Sequence, residues 1–62
     1  MQFHIETMTC GGCARGVTKA IQSVDPAADV KADPATHTVD VTSTASREQL
    51  VAVLTDAGFA PA

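Results

Sequence analysis

The sequence predicts an α+β fold, a ferredoxin-like (split-βαβ) two-layer sandwich of order βαββαβ. Its antiparallel sheet would carry both helices on one face and close with a short last strand. Three observations predict it. Short apolar–polar alternations occur at Gln2 to Glu6, Asp29 to Asp33 and Thr38 to Thr42, the period of half-buried strands. Apolar residues recur at helical spacing from Ala14 to Val24 and again from Leu50 to Ala57. Proline, glycine and other turn-forming residues separate the segments.

In the first strand Phe3 and Ile5 point inward, with Gln2, His4 and Glu6 opposite. Thr7 to Gly12 is the connecting loop, and its glycines ease an unusual turn. The first helix should start near Gly12 or Cys13. Cys13, Val17, Ala20, Ile21 and Val24 would form its apolar face. Gly16 is its weak spot, costing about 1 kcal/mol of helix propensity against alanine. Asp25-Pro26 ends it, because a residue before proline disfavours the helical region. Val30 and Ala32, then Val39 and Val41, face inward on a hairpin whose turn is Pro34 to His37. Ser46 and Gln49 fit a capping box at the start of the second helix. Leu50, Val53, Leu54 and Ala57 are its apolar stripe, and Gly58 sits where a C-terminal cap glycine belongs. Phe59 to Ala62 would pair as a brief edge strand, with Pro61 tolerated only at an edge.

The 62 residues make one domain, 1–62. So short a chain buries only about 60% of the surface its unfolded form exposes, which leaves no room for a large substrate cleft and argues against an enzyme. A net charge of −3 and two aromatic residues, both phenylalanine, provide neither a basic footprint nor stacking platforms for nucleic acid. No basic cluster and apolar run marks a targeting segment, and no stretch reaches membrane-span length. A cytoplasmic, reducing setting is expected, with the chain either a free-standing domain or one cut from a transporter. In such a setting a close cysteine pair points to metal binding or redox chemistry rather than to a structural disulfide.

That pair is Cys10 and Cys13, in Met8-Thr9-Cys10-Gly11-Gly12-Cys13 between a strand and a helix. A helix N-terminus has unpaired N–H groups and about half a positive charge, which favours thiolate over thiol. Three readings compete. Both cysteines could be small buried apolar residues. They could form a dithiol redox site, although no tryptophan precedes the pair. Or they could hold a metal ion. A closed zinc site wants four ligands, and the histidines fit one poorly: His4 faces out from a strand, and His37 is expected at the far end of the sandwich. Two thiolates alone suit a soft ion of low coordination number, Cu(I) above all.

The same stretch resembles the Met-Thr-Cys-x-x-Cys signature of the heavy-metal-associated domain family, which includes small copper chaperones and the N-terminal domains of copper-transporting P-type ATPases. The likeness covers nearly the whole chain, including the Gly58-Phe59 pair. It implies that Cys10 and Cys13 are metal ligands, that Met8 points into the core beneath the loop and shapes it, and that Phe59 packs close to the loop. An aromatic at Phe59 is similar to the bacterial chaperone or ATPase-domain type. Thr7 departs from the family's usual glycine, which implies a stiffer or differently turned loop. The implied function is a non-enzymatic Cu(I) carrier that passes copper by thiolate exchange to a P-type ATPase or another copper-handling protein. It would be a monomer without metal, and a metal-bridged dimer is a further expected form. The alternatives are Zn(II), Cd(II) or Hg(II), with Glu6 or a second chain completing the shell, and the dithiol redox protein. Arg15 and Lys19, one turn apart near the loop, are either an ordinary solvated face or a docking patch for an acidic partner.

Overall fold

Met8 and Ile5 are fully buried although both belong to a connection between elements, and the fold is arranged around that connection. A computed structural model describes residues 1–62. The elements are β1 (Gln2–His4), α1 (Gly11–Val24), β2 (Asp29–Asp33), β3 (Thr38–Thr42) and α2 (Arg47–Asp56). They form the expected ferredoxin-like sandwich. The antiparallel sheet has three strands in the order β1-β3-β2, with Phe3 opposite Val39 and Val30 opposite Val41. Phe3, Val39 and Val41 point to the helices and are buried, together with Val17 and Ile21 of α1 and Leu50 and Leu54 of α2. Burying each such side chain contributes about 1.5–3 kcal/mol, so this single cluster supplies most of the favourable term. No helix is long and apolar enough to cross a membrane.

The helix ends follow the local sequence. Ser46 Oγ accepts from Gln49 N at 3.2 Å, and Gln49 Oε1 accepts from Ser46 N at 3.1 Å, which completes the capping box. At the other end of α2, Gly58 adopts φ 88°. Phe59 N donates to Leu54 O at 2.8 Å and Gly58 N to Thr55 O at 3.1 Å, the paired bonds of a Schellman motif. Asp25 closes α1. Its carboxylate accepts from Ala27 N at 3.1 Å, from Ser43 Oγ at 2.7 Å and from Thr44 N at 3.4 Å, tying the helix end to the chain after β3. These bonds hold its pKa below the usual carboxylate range, the Ser43 bond being the largest cause.

Three expectations change. The last segment is not a strand: only Ala62 N reaches β1, donating to His4 O at 2.7 Å. Pro61 has no N–H to give, and the Phe59 N–H is spent on the helix cap. Val24 is exposed, because α1 ends there and the chain turns so that Ala28 fills the core instead. Ala57 at the end of the α2 stripe is likewise exposed.

Candidate metal centre

The Cys-x-x-Cys loop is held at both ends before it turns. Met8 buries its side chain completely, and its N–H donates to Ile5 O at 3.2 Å. Ile5 N in turn donates to His37 O at 2.8 Å, so β1 stays fastened to the hairpin up to the point where the loop departs. From Met8 the chain rises through exposed Thr9 to Cys10, the N-cap of α1 with extended backbone (φ −148°, ψ 170°). Ala14 N donates to Cys10 O at 3.0 Å, which starts the helix. Cys10 Sγ takes the place of a capping oxygen and accepts from Cys13 N at 3.4 Å.

That geometry sets the two sulfurs together. Cys10 Sγ lies 3.1 Å from Cys13 Sγ, and both thiols are free. Cys10 is exposed and Cys13 half-buried in the first turn of the helix. The Cys13 thiol is held below its ordinary pKa, first by the hydrogen bond from Cys10 and next by the Thr9 backbone. No acidic residue stands in the first turn of α1 to oppose that effect. The site is therefore one exposed and one half-buried thiol side by side, with Cys13 more readily ionised than an ordinary thiol.

Phe59 reaches the same region from the end of the chain. Its ring rests against α1 at Gly16, where a Cβ would stand 3.1 Å from Cε2 and 3.3 Å from Cζ. Gly16 is the helix's weak spot because this ring needs the space. Thr7, at the other end of the loop, donates from Oγ1 to Gly58 O at 3.3 Å. The sequence pointed to Phe59 beside the loop and to Gly16 as a place of close packing, but not to their contact with each other, nor to the Thr7 bond to Gly58. The signals were the mid-helix glycine at Gly16 and the threonine at Thr7 where the family signature has glycine.

The histidines stand elsewhere. His4 Nε2 pairs with Glu6 Oε1 at 2.7 Å, and this bond is the largest cause lowering the Glu6 pKa. His37 does not lie at the far end of the sandwich as expected. Antiparallel pairing puts the start of β3 beside the end of β1, so the hairpin turn shares the loop's end of the sheet. His37 lies beside His4, with ring centroids 6.1 Å apart and the rings tilted by 53°. Even so, no three His, Cys, Asp or Glu side chains group to hold a metal ion. Glu6, turned to His4, adds no third ligand beside the cysteines. Arg15 and Lys19 are exposed on α1.

A model of the heavy-metal-associated domain matches residues 2–60. Comparison with curated proteins gives no match. Among solved structures, the chain resembles one described as a gold-binding protein, with 56% identity, 98% of this chain and 94% of that chain covered, and a TM-score of 0.95. The copper chaperone Atx1 from Synechocystis, in a trimeric form, is 35% identical over 100% of this chain and 98% of its own, with a TM-score of 0.96. A protein of Agrobacterium tumefaciens is 40% identical over 100% of this chain and 97% of its own, with a TM-score of 0.88.

Proposed function

The chain belongs to the heavy-metal-associated domain family, and on that premise we propose that it carries Cu(I), held between the sulfurs of Cys10 and Cys13 and passed on by ligand exchange. The observation that carries this reading is the pair of free thiols 3.1 Å apart at the mouth of a helix, with no third ligand grouped beside them. Soft thiolates select a soft ion, and two of them suit one of low coordination number. The thiol protons leave as the ion binds, so capture strengthens as pH rises through the thiol range. Cys10, the exposed sulfur, is where a partner's thiolate approaches. That thiolate bonds to the ion, giving three sulfurs around it. One of the chain's own sulfurs then leaves and takes up a proton, and a second thiolate of the partner displaces the other in the same way. Copper stays monovalent throughout and no covalent bond of a substrate is broken, so this is carriage rather than catalysis. The partner is a P-type ATPase or another copper-handling protein with exposed cysteines. The same open side lets a second copy share the ion as a metal-bridged dimer.

Gold(I) is the second reading, favoured by the 56% identity to a gold-binding protein. It too is soft, monovalent and satisfied by two sulfurs. Zn(II), Cd(II) or Hg(II) would need ligands from a second chain to close a shell.

The test is a titration of the reduced protein with Cu(I) against a competing chelator, repeated in the presence of Au(I) or Zn(II). One tightly held Cu(I) per chain is expected, with binding collapsing in Cys10→Ser and in Cys13→Ser. Variants that bind as tightly as the parent would falsify the assignment. Displacement of Cu(I) by equimolar Au(I) would move the reading to gold. An insulin-reduction assay separates the dithiol redox alternative, and no turnover is expected.

A further inference from the structure

One dipeptide after α2 grips the metal loop at both ends. Gly58 O accepts from Thr7 Oγ1 at 3.3 Å, just before the loop rises to Cys10. Phe59 presses on Gly16, one turn beyond Cys13. The direction of the Gly58 carbonyl is set, because the N–H groups of Gly58 and Phe59 are both committed to the Schellman motif and φ at Gly58 is 88°. Between the two grips, Met8 is sealed in the core while Thr9 and Cys10 are exposed. The Cys10 arm is the part of the site left to move.

The two sulfurs have to part to take an ion in a straight two-coordinate arrangement. With the roughly 2.3 Å of a zinc–thiolate bond as a guide, sulfurs at the observed 3.1 Å would meet an ion at about 85°. A straight arrangement needs them about 4.6 Å apart. The helix fixes the Cys13 backbone, so any opening beyond rotation of its side chain falls on Cys10 and on the loop that leads to it.

We propose that Thr7 is a positioning residue. Its hydroxyl latches the metal loop to the cap of α2, restrains the opening of the Cys10 arm and so slows release of the ion. Alanine at the same position would keep the backbone and lose the latch, leaving the start of the loop held by Met8 alone. The effect on release rests on Cys10 and Cys13 being the ligands; the latch itself is a property of the metal-free chain and is tested separately there.

The experiment compares the parent with Thr7→Ala and Thr7→Ser. In metal-free protein, amide hydrogen exchange is followed at Met8, Phe59 and, as a core control, Ile21. In protein loaded with Cu(I), release to an excess of a colorimetric Cu(I) chelator is followed by stopped flow. One exposed hydrogen bond is worth a factor of about two to ten. Thr7→Ala should therefore speed exchange at Met8 and Phe59, and speed Cu(I) release, by about that factor, with Ile21 unchanged. Thr7→Ser, which keeps the hydroxyl, should behave as the parent. The proposal is overturned if Thr7→Ala leaves Met8 and Phe59 exchange unchanged, if release is unchanged while exchange quickens, or if serine fails to restore the parent rates. A protein that shows the exchange effect and yet binds no Cu(I) would count against the copper reading and leave the latch standing.

Discussion

The Phe59 ring occupies the space that a side chain at Gly16 would need: a Cβ there would approach Cε2 to 3.1 Å. Two opposing effects meet at this point. Alanine would gain about 1 kcal/mol of helix propensity over glycine, while a contact of that length makes the ring give by a few tenths of an ångström. Gly16→Ala is expected to change stability by less than about 1 kcal/mol, because the half-buried ring has room to yield. Gly16→Val adds branching that the ring cannot accommodate and should cost about 1–3 kcal/mol as an overpacked site does. Thermal unfolding of the two variants checks this, and a Gly16→Val protein as stable as the parent would show that the ring is not seated there.

The thiol pair makes a second prediction. The Cys13 pKa is lowered chiefly by the hydrogen bond from Cys10. Removing that partner in Cys10→Ala should move the Cys13 ionisation up, toward the ordinary thiol value of about 8.5. Alkylation rate against pH, read at Cys13 by peptide mass spectrometry, should have its midpoint at higher pH in the variant than in the parent. An unmoved midpoint would assign the shift to the helix terminus and the Thr9 backbone alone.

Much of this arrangement was legible in the sequence, and the parts that were not have a common cause. The capping box at Ser46 and Gln49 and the cap at Gly58 are local chemistry, and both formed where the residues indicated. Met8 buries beneath the loop, and the alternation in β3 places Val39 and Val41 in the core. The misplaced residues depend on neighbours distant in the chain. Val24 continues the helical period and yet is exposed, since the period says nothing of where the sheet ends. Ala62 makes the only backbone bond of the last segment to β1, because the cap of α2 had already taken the Phe59 N–H. His37 was assigned to the wrong end of the sandwich because its position follows from the pairing of β1 with β3, which no local pattern reports.

Asp25 predicts how stability responds to acid. Its carboxylate accepts from Ser43, Ala27 and Thr44, and its folded pKa lies below the usual value. The unfolded value is about 3.9, so this contribution is fully present above that pH and is lost as pH falls through the lower folded pKa. Asp25→Asn keeps the shape but presents an N–H₂ to the Ser43 hydroxyl or turns its oxygen from Ala27. The variant should melt at a lower temperature at pH 7, and its melting temperature should fall less steeply than the parent's on acidification. Parallel curves for the two proteins would mean that Asp25 titrates alike folded and unfolded.

His37 separates an open two-sulfur site from a closed cage. It holds φ at 57°, a left-handed conformation that asparagine tolerates better than most residues. Its ring Nδ1 is buried without a hydrogen-bond partner, and an unpaired buried polar atom costs about 1–3 kcal/mol. The imidazole's ring contact is with His4, with centroids 6.1 Å apart. His37→Asn should therefore hold or raise the melting temperature. It should also leave Cu(I) affinity unchanged, because the histidines and the cysteines do not group around one point. The paired variant His4→Asn removes the exposed hydrogen bond with Glu6, and it too should bind Cu(I) as the parent does. Competition titrations on both variants check the copper affinity and calorimetry checks the stability. A loss of Cu(I) affinity in either would mean that the hairpin end folds over the loop to complete the shell. The ion would then be enclosed, and the exposed side that ligand exchange requires would be gone.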